Sequence, residues 1–185
     1  IMVTKLENTE LVWVDQPQKL GEVTEELSKQ DILAVDTESN SLYAYQEQVC
    51  LIQFSTREKD ILVDSLALPD LSPLAPIFAS EDILKVFHAA EYDLICLYRD
   101  YGFKFNFLFD TMIAARTLGV QKIGLGSLLE QHFSVHMKKK YQRANWGKRP
   151  LKQEMLKYAR LDSHYLIPLQ AILRQELEEA GRWAL

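Results

Sequence analysis

The sequence predicts an α/β fold in which helices cover a mixed β-sheet. Short apolar runs of strand length come early in the chain, and strands then alternate with amphipathic helical segments, as expected when helices pack on a sheet. The 185 residues, 48% of them hydrophobic, are enough for one domain with a sizeable core. No apolar run approaches the roughly 20 residues that span a bilayer, so we expect no membrane partner.

The first half of the chain carries most of the predicted strands. A helix over 17–29 is expected first, because Leu20, Val23 and Leu27 repeat at helical spacing. Short apolar runs bounded by polar residues then predict the strands, and two of them, separated by four residues, predict a hairpin. A short helix is expected after the proline-containing connection. The predicted strands of this half are 11–14, 32–35, 49–55, 60–63 and 83–87.

The second half is predicted to be mainly helical, with helices over 91–101, 111–118 and 127–132 and one more strand over 105–109. Asp110 is expected to cap the second of these helices. Pro150 suits the first turn of a long helix, because its missing N–H costs nothing there. That helix is expected to continue through Leu177 with a kink at Pro168.

The cysteines and histidines do not predict a metal site. The two cysteines, Cys50 and Cys96, lie in apolar segments without metal-ligand spacing. They indicate reduced core thiols in a cytosolic protein, so a cytoplasmic location is expected. His132, His136 and His164 show no zinc-binding spacing either. The acidic residues therefore remain the candidates for metal binding.

The charge distribution is uneven. The net charge is −5, yet six basic residues and no acidic residue lie within 138–149, which leaves 15 basic against 26 acidic residues elsewhere. A charge run alone is typical of a solvated loop. Tyr141 and Trp146 within this run indicate single-stranded nucleic acid instead, since bases stack on aromatic rings while phosphates pair with Lys and Arg.

Carboxylates lie beside apolar segments at three places in the chain. Asp36 and Glu38 end a predicted strand two residues apart, so their side chains share a face. Tyr158 and Asp162 are four residues apart in a predicted helix, so they also share a face. Asp93 opens the helix that follows another predicted strand. The sequence thus predicts an acidic cluster at the edge of the core.

The negative charges of such a cluster repel one another. Two carboxylates about 5 Å apart repel by roughly 3 kcal/mol at an effective dielectric of 20, and the pairs among four carboxylates total about 15–20 kcal/mol. Protonation or divalent cations must relieve this repulsion, and oxygen ligands favour Mg²⁺ or Mn²⁺ over Zn²⁺. Taken singly, Asp93 is typical of a helix N-terminus, and Tyr158 is typical of a packed helical residue.

Three motifs surround these acids: AVDTE (34–38) with CLIQF (50–54), VFHAAEYD (86–93) and YARLD (158–162). They resemble the motifs of the DEDD exonuclease superfamily in its tyrosine-containing form, DEDDy. Further segments, FDT at 109–111, QRANW at 142–146 and RPL at 149–151, resemble the ribonuclease D branch, which includes the nuclear exosome's 3′–5′ exonuclease subunit.

The resemblance implies a ribonuclease H-like three-layer sandwich with a mixed sheet of five to six strands. It implies a metal-dependent 3′–5′ exoribonuclease that releases nucleoside 5′-monophosphates in RNA 3′-end maturation or decay, tRNA processing included. Residues 1–185 are expected to form a single catalytic domain. Ribonuclease D proteins usually carry C-terminal helical HRDC domains, and none is expected in this chain.

The resemblance also implies a role for each acid around two divalent cations, Mg²⁺ or Mn²⁺. Asp36, Glu38 and Asp162 would hold one cation, Asp36 would bridge to the second, and Asp93 would support that second cation. Tyr158 would orient the attacking water. All five residues are therefore expected to be catalytic.

Single-stranded RNA 3′ ends are the expected partner. Two of the expected contacts have an open alternative, since His88 is also typical of a packed histidine and Arg149 of a brace for the following helix. Two other functions stay open: a DNA 3′–5′ exonuclease of the proofreading or Werner type, and a catalytically silent nucleic-acid-binding module. The residues expected to contact RNA are Thr37, His88, Lys140, Gln142, Trp146 and Arg149.

Overall fold

The computed structural model describes residues 6–183 of the chain. Within them the strands are β1 (Glu10–Val14), β2 (Ile32–Ser39), β3 (Val49–Ser55), β4 (Lys59–Val63), β5 (Leu84–Phe87) and β6 (Leu108–Asp110). The helices of the same residues are α1 (Pro17–Leu27), α2 (Ala75–Ala79), α3 (Glu91–Tyr101), α4 (Thr111–Leu118), α5 (Leu125–Phe133), α6 (Gln153–His164) and α7 (Leu166–Glu179).

The strands form one mixed sheet in the order β1-β4-β3-β2-β5-β6. β3 and β4 are the predicted antiparallel hairpin, and β2 pairs antiparallel with β3 and parallel with β5. β6 is shorter than the strand expected over 105–109. It begins at Leu108 because Phe107 has a φ of 52°, in the left-handed region, which interrupts the extended backbone. The predicted mixed sheet is confirmed, with β2 inside it.

Residues of β2 alternate between cores on the two faces of the sheet. Leu33 and Val35 face the core that α1, α2 and α3 cover, and Ala34 faces the core beneath α4, α5 and α7. Helices therefore cover both faces, which confirms the expected three-layer sandwich. Continued along the strand, the same alternation sends Asp36 and Glu38 to one face.

The C-terminal helical region differs from the prediction. The expected single helix is two helices, α6 and α7, that meet at Tyr165. Pro168 lies in the first turn of α7, where its missing N–H is tolerated, so the chain starts a new helix there rather than kinking an old one. Pro150 lies outside α6, because the backbone of the N-cap residue Lys152 is still extended (ψ 150°).

Two smaller expectations are confirmed. Oδ1 of Asp110 accepts hydrogen bonds from the backbone N–H groups of Met112 and Ile113, which makes Asp110 the N-cap of α4. Cys50 and Cys96 are buried free thiols. Among residues 6–183, none of the helices combines the length and apolar character needed to cross a bilayer.

Candidate active site

The end of β2 places two carboxylates side by side. Asp36 and Glu38 are half-buried and lie on the same strand face. The pairing of β2 with β3 shifts register between Glu38 and Ser39, and such a bulge at the rim of a sheet re-aims the side chains next to it. Gln53 lies opposite Asp36 on β3, and its Nε2 donates to Oδ2 of Asp36 at 3.3 Å.

Helix α6 brings the second part of the site to this strand. It packs across β2, β3 and β4, and it carries Tyr158 and Asp162 one turn apart. One carboxylate oxygen from each of Asp36, Glu38 and Asp162 lies within 4.8 Å of the other two. Three oxygens at this separation can surround one ion, so these residues fit a divalent cation that prefers oxygen ligands.

Asp93 lies beside this group of three. It is in the first turn of α3 and is 7% exposed. Its Oδ1 accepts a 2.5 Å hydrogen bond from Oγ1 of Thr37, the residue between Asp36 and Glu38. Asp93 therefore has both features that the sequence suggested. It is an acid at a helix N-terminus, and it is a carboxylate tied to the strand that carries the other acids.

Burial and mutual repulsion raise the pKa of each carboxyl group in the site. Burial, followed by the charges of Asp93 and Asp162, holds the pKa of Asp36 well above its usual range. Burial and the charge of Asp36 do the same to the pKa of Glu38. Burial raises the pKa of Asp162 to about 8. A bound dication relieves repulsion of this kind.

Asp93 responds to two opposing effects. Burial raises its pKa to about 7, while the hydrogen bond from Thr37 lowers it and so favours the charged form. The charge of Asp110 adds to the rise. Asp93 is thus a carboxylate whose charge near neutral pH depends on one hydroxyl group.

The Tyr158 side chain is held by aromatic neighbours. Its ring centroid lies 6.2 Å from that of Trp146 and 6.0 Å from that of Tyr141. Burial and the nearby charges of Asp162, Glu38 and Asp36 raise the pKa of the phenol well above its usual value. The hydroxyl is therefore a stable hydrogen-bond donor beside the carboxylates.

Trp146 lies inside the fold and not in the cleft. We expected it to stack on RNA, but the side chain is 1% exposed. It packs in the cluster that holds Tyr158 and Met155 against β3 and β4. A large apolar ring with this burial stabilises the fold and presents no face to a base. Its contribution to the site is to support the ring of Tyr158.

Arg149 also differs from its expected role in RNA contact. Its Nε and Nη2 donate to the two carboxylate oxygens of Asp64 at 2.7 and 2.6 Å. Nη2 also donates to the backbone oxygen of Cys50 at 2.8 Å. This bidentate pair occupies the guanidinium with partners inside the fold. The geometry supports the alternative role, a brace for the chain ahead of α6.

A cleft of about 690 Å³ opens beside the carboxylates. Three of the expected RNA contacts line it: Thr37, His88 and Gln142. Nδ1 of His88 lies 2.9 Å from Oγ1 of Thr111, so one ring nitrogen is engaged with the start of α4. Lys140 is exposed and does not line the cleft; its Nζ lies 5.2 Å from the centroid of the Tyr141 ring.

Part of the cleft lining was not predicted from the sequence. The N-terminal end of α5, with Gly124 and Ser127, lines the cleft together with residues of β2, and Lys138 joins it. Lys138 belongs to the basic segment, so its charge was a usable signal. The local pattern predicts a helix over 127–132 but not that its N-terminal end lines the cleft, because that placement depends on packing in the core beneath α4 and α7.

Comparison with known proteins identifies the family. Residues 11–178 match the 3′–5′ exonuclease domain. The chain belongs to the 3′–5′ exonuclease family. This exonuclease domain is 41% identical over 174 residues to the exosome complex exonuclease RRP6 of Saccharomyces cerevisiae. The match covers 94% of the chain and 24% of the yeast protein, so the exonuclease domain spans about a quarter of that relative's length.

Solved structures share the fold of the exonuclease domain. The catalytic core of RRP6 from Trypanosoma brucei has a TM-score of 0.94 at 35% identity, over 98% of this chain and 50% of that one. Escherichia coli RNase D has a TM-score of 0.87 at 31% identity, over 94% of this chain and 46% of that one. Exonuclease domains of the DEDD type depend on divalent metal, and the group of Asp36, Glu38 and Asp162 suits that requirement.

Proposed function

We propose that this exonuclease domain removes nucleotides from the 3′ end of single-stranded RNA. It hydrolyses the terminal phosphodiester and releases a nucleoside 5′-monophosphate. The observation that carries the proposal is the set of three carboxylate oxygens, from Asp36, Glu38 and Asp162, within 4.8 Å of one another in a cleft that Tyr158 also lines. Clustered carboxylates of this kind hold the metal ions that drive phosphodiester hydrolysis.

The names of the similar proteins support RNA over DNA as the substrate. The yeast relative is an exosome complex exonuclease, and the E. coli structure is of an exoribonuclease involved in structured RNA processing. The same chemistry cleaves DNA, so the acids themselves do not choose between the two. Participation in tRNA processing and a cytoplasmic location stay predictions.

Each side chain of the site has a defined task in this proposal. Asp36, Glu38 and Asp162 would hold a divalent cation, and Asp93 would support a second one. When bound, two Mg²⁺ or Mn²⁺ ions stabilise the entering and leaving oxygens of the displacement. The Tyr158 hydroxyl is protonated at neutral pH, as any phenol is, and its raised pKa extends this to alkaline pH, so it can donate a hydrogen bond that orients the attacking water.

The cleft gives the RNA end a route to these residues. Gln142 and Thr37 line both the main cleft and a smaller cavity of about 230 Å³ next to it. Lys138 lines the main cleft, and Lys140 lies nearby in the basic segment. The proposal therefore places the terminal nucleotide near Gln142 and assigns phosphate contacts to the lysines.

Side-by-side digestion of matched RNA and DNA oligonucleotides tests the substrate. Both are labelled at the 5′ end, incubated with the domain and Mn²⁺, and read at single-nucleotide resolution. We expect a ladder that shortens from the 3′ end for RNA, and slower shortening for DNA. Equal or faster digestion of DNA would support the DNA exonuclease. Binding of both oligonucleotides without cleavage would support the silent binding module.

A further inference from the structure

A buried polar network forms hydrogen bonds with the side of α6 that faces away from the catalytic residues. Its centre is Asp60 on β4, which is 0% exposed. Asp60 accepts hydrogen bonds from Oγ of Ser55 at 2.7 Å and from Nε of Arg160 at 3.0 Å. Nδ1 of His164 lies 3.0 Å from the same carboxylate. Oγ of Ser163 lies 2.8 Å from Oγ of Ser55.

The network residues and the catalytic residues alternate along one helix. Successive residues of an α-helix are separated by about 100°, so Tyr158 and Asp162 lie about 40° apart around the axis. Arg160 and His164 are also about 40° apart, but their centre lies roughly 200° from that of the catalytic pair. Asp60 therefore contacts α6 on one side, while the catalytic pair faces the carboxylates of β2 from the other.

Apolar packing of Met155 and Ala159 also holds α6 on the sheet, and the polar network adds directional hydrogen bonds on its far side. The N-cap residue of α6, Lys152, makes no side-chain capping hydrogen bond, and the helix ends where α7 begins, at Tyr165. A rotation of about 10° would move an atom about 6 Å from the helix axis by about 1 Å. A displacement of that size in a catalytic group can reduce the rate about 100-fold.

Arg160 extends the network to a further segment. Its Nη2 donates to the backbone oxygens of Leu6 and Thr9, at 3.0 and 2.9 Å. One guanidinium thus joins α6, β4 and the chain ahead of β1. Replacing a buried ion pair by apolar side chains of similar volume is often neutral for stability, whereas the hydrogen bonds of the pair restrict where its partners can lie. This geometric restriction suits a group of residues that sets the orientation of α6.

We propose that Asp60, Arg160 and His164 form a positioning unit that sets the rotation of α6, so that Tyr158 and Asp162 meet Asp36 and Glu38. The inference rests on the proposed function for what the aligned residues do. None of the three positioning residues lines the cleft, so they act through α6 and do not touch the substrate.

The test compares Asp60→Asn with a matched core variant, Leu27→Ala, at a temperature where circular dichroism shows both to be folded. Leu27 is buried in α1, in the core on the other face of the sheet. Calorimetry measures Mn²⁺ affinity, and RNA digestion measures kcat and KM. For Asp60→Asn we expect Mn²⁺ affinity to fall at least 10-fold and kcat at least 10-fold, with KM within 3-fold of wild type. Leu27→Ala should keep all three values.

A second pair of variants separates positioning from stability. His164→Asn keeps a nitrogen donor near the position of Nδ1, so it should retain more Mn²⁺ affinity and kcat than His164→Ala.

If Asp60→Asn matches Leu27→Ala in both measurements, the positioning role is overturned and the proposed function stands. If the wild type digests no RNA but Asp60→Asn binds Mn²⁺ more weakly than the wild type, the proposed function fails and the positioning role stands. Wild type that binds no Mn²⁺ overturns both.

Discussion

Oγ1 of Thr37 donates a hydrogen bond of 2.5 Å to Oδ1 of Asp93, and this bond joins the end of β2 to the first turn of α3. Thr37 lies between Asp36 and Glu38, and strand alternation points it to the opposite face of the sheet. One strand therefore serves the whole acidic site, with two carboxylates directed towards α6 and one hydroxyl directed towards α3.

The first prediction concerns Thr37→Val. The substitution removes the donor that favours charged Asp93, so the pKa of Asp93 should rise above its value of about 7. We expect kcat to fall about 10-fold at pH 7 and the acidic limb of the pH–rate profile to move to higher pH. Thr37→Ser keeps the hydroxyl and should keep the wild-type profile. An unshifted profile for Thr37→Val would show that the bond does not control Asp93.

The second prediction concerns stability without metal. The folded-state pKa values of Asp93 and Asp162, about 7 and about 8, lie above the unfolded value of 3.8. The folded protein therefore binds more protons than the unfolded chain between about pH 4 and pH 8. The stabilisation that these two groups contribute is lost as pH rises through this window. In EDTA we expect Tm to fall by about 5–10 °C from pH 5 to pH 8.

Two controls accompany that measurement. Mn²⁺ added at pH 8 should raise Tm, because it replaces the lost protons as the source of positive charge. Asp162→Asn should flatten the pH dependence in EDTA. A Tm that stays constant or rises between pH 5 and pH 8 in EDTA would contradict the raised pKa values.

The third prediction concerns the Tyr158 hydroxyl. Tyr158→Phe keeps the ring packed against Trp146 and Tyr141 but removes the donor beside the carboxylates. We expect kcat to fall about 10- to 100-fold while KM and Tm stay close to wild type. Tyr101→Phe removes a partly buried hydroxyl outside the cleft and should leave kcat unchanged. Equal kcat values for the two variants would remove Tyr158 from the mechanism.

The fourth prediction concerns the basic segment. Lys140 is exposed, so Lys140→Ala removes charge without disturbing the core. If Lys140 contacts a phosphate, the slope of log K against log salt should fall by about 0.7 for single-stranded RNA. Fluorescence anisotropy in EDTA measures this without cleavage. Lys29→Ala, which removes an exposed lysine just beyond α1, should leave the slope unchanged, and the same slope for both variants would exclude the contact.

Local periodicity was enough to predict the core of the site. The two-residue repeat of a strand places Asp36 and Glu38 on one face, and the four-residue spacing in a helix does the same for Tyr158 and Asp162. Both rules need only neighbouring residues. The structure brings the two pairs together, and their meeting depends on how α6 packs on the sheet.

The internal partners of Trp146 and Arg149 could not be predicted in the same way. Trp146 lies among lysines and arginines, so its surroundings in sequence indicate exposure, yet its ring packs on Tyr158 twelve positions later. Arg149 is paired with Asp64, 85 positions away. Such partners are set by tertiary packing, which a local pattern does not contain. The division of the C-terminal region into α6 and α7 depends likewise on where Pro168 lies within a turn.

The carboxylates of Asp36, Glu38 and Asp162 are together expected to carry metal-dependent removal of 3′-terminal nucleotides from RNA. The most direct test is the release of 5′-monophosphates from a 5′-labelled RNA in Mn²⁺, measured for wild type and for Asp36→Asn. We expect wild type to shorten the RNA from its 3′ end and Asp36→Asn, folded by circular dichroism, to lose at least 1,000-fold in rate, as expected for loss of a metal ligand. Undiminished nucleotide release by Asp36→Asn would show that these carboxylates do not carry the reaction.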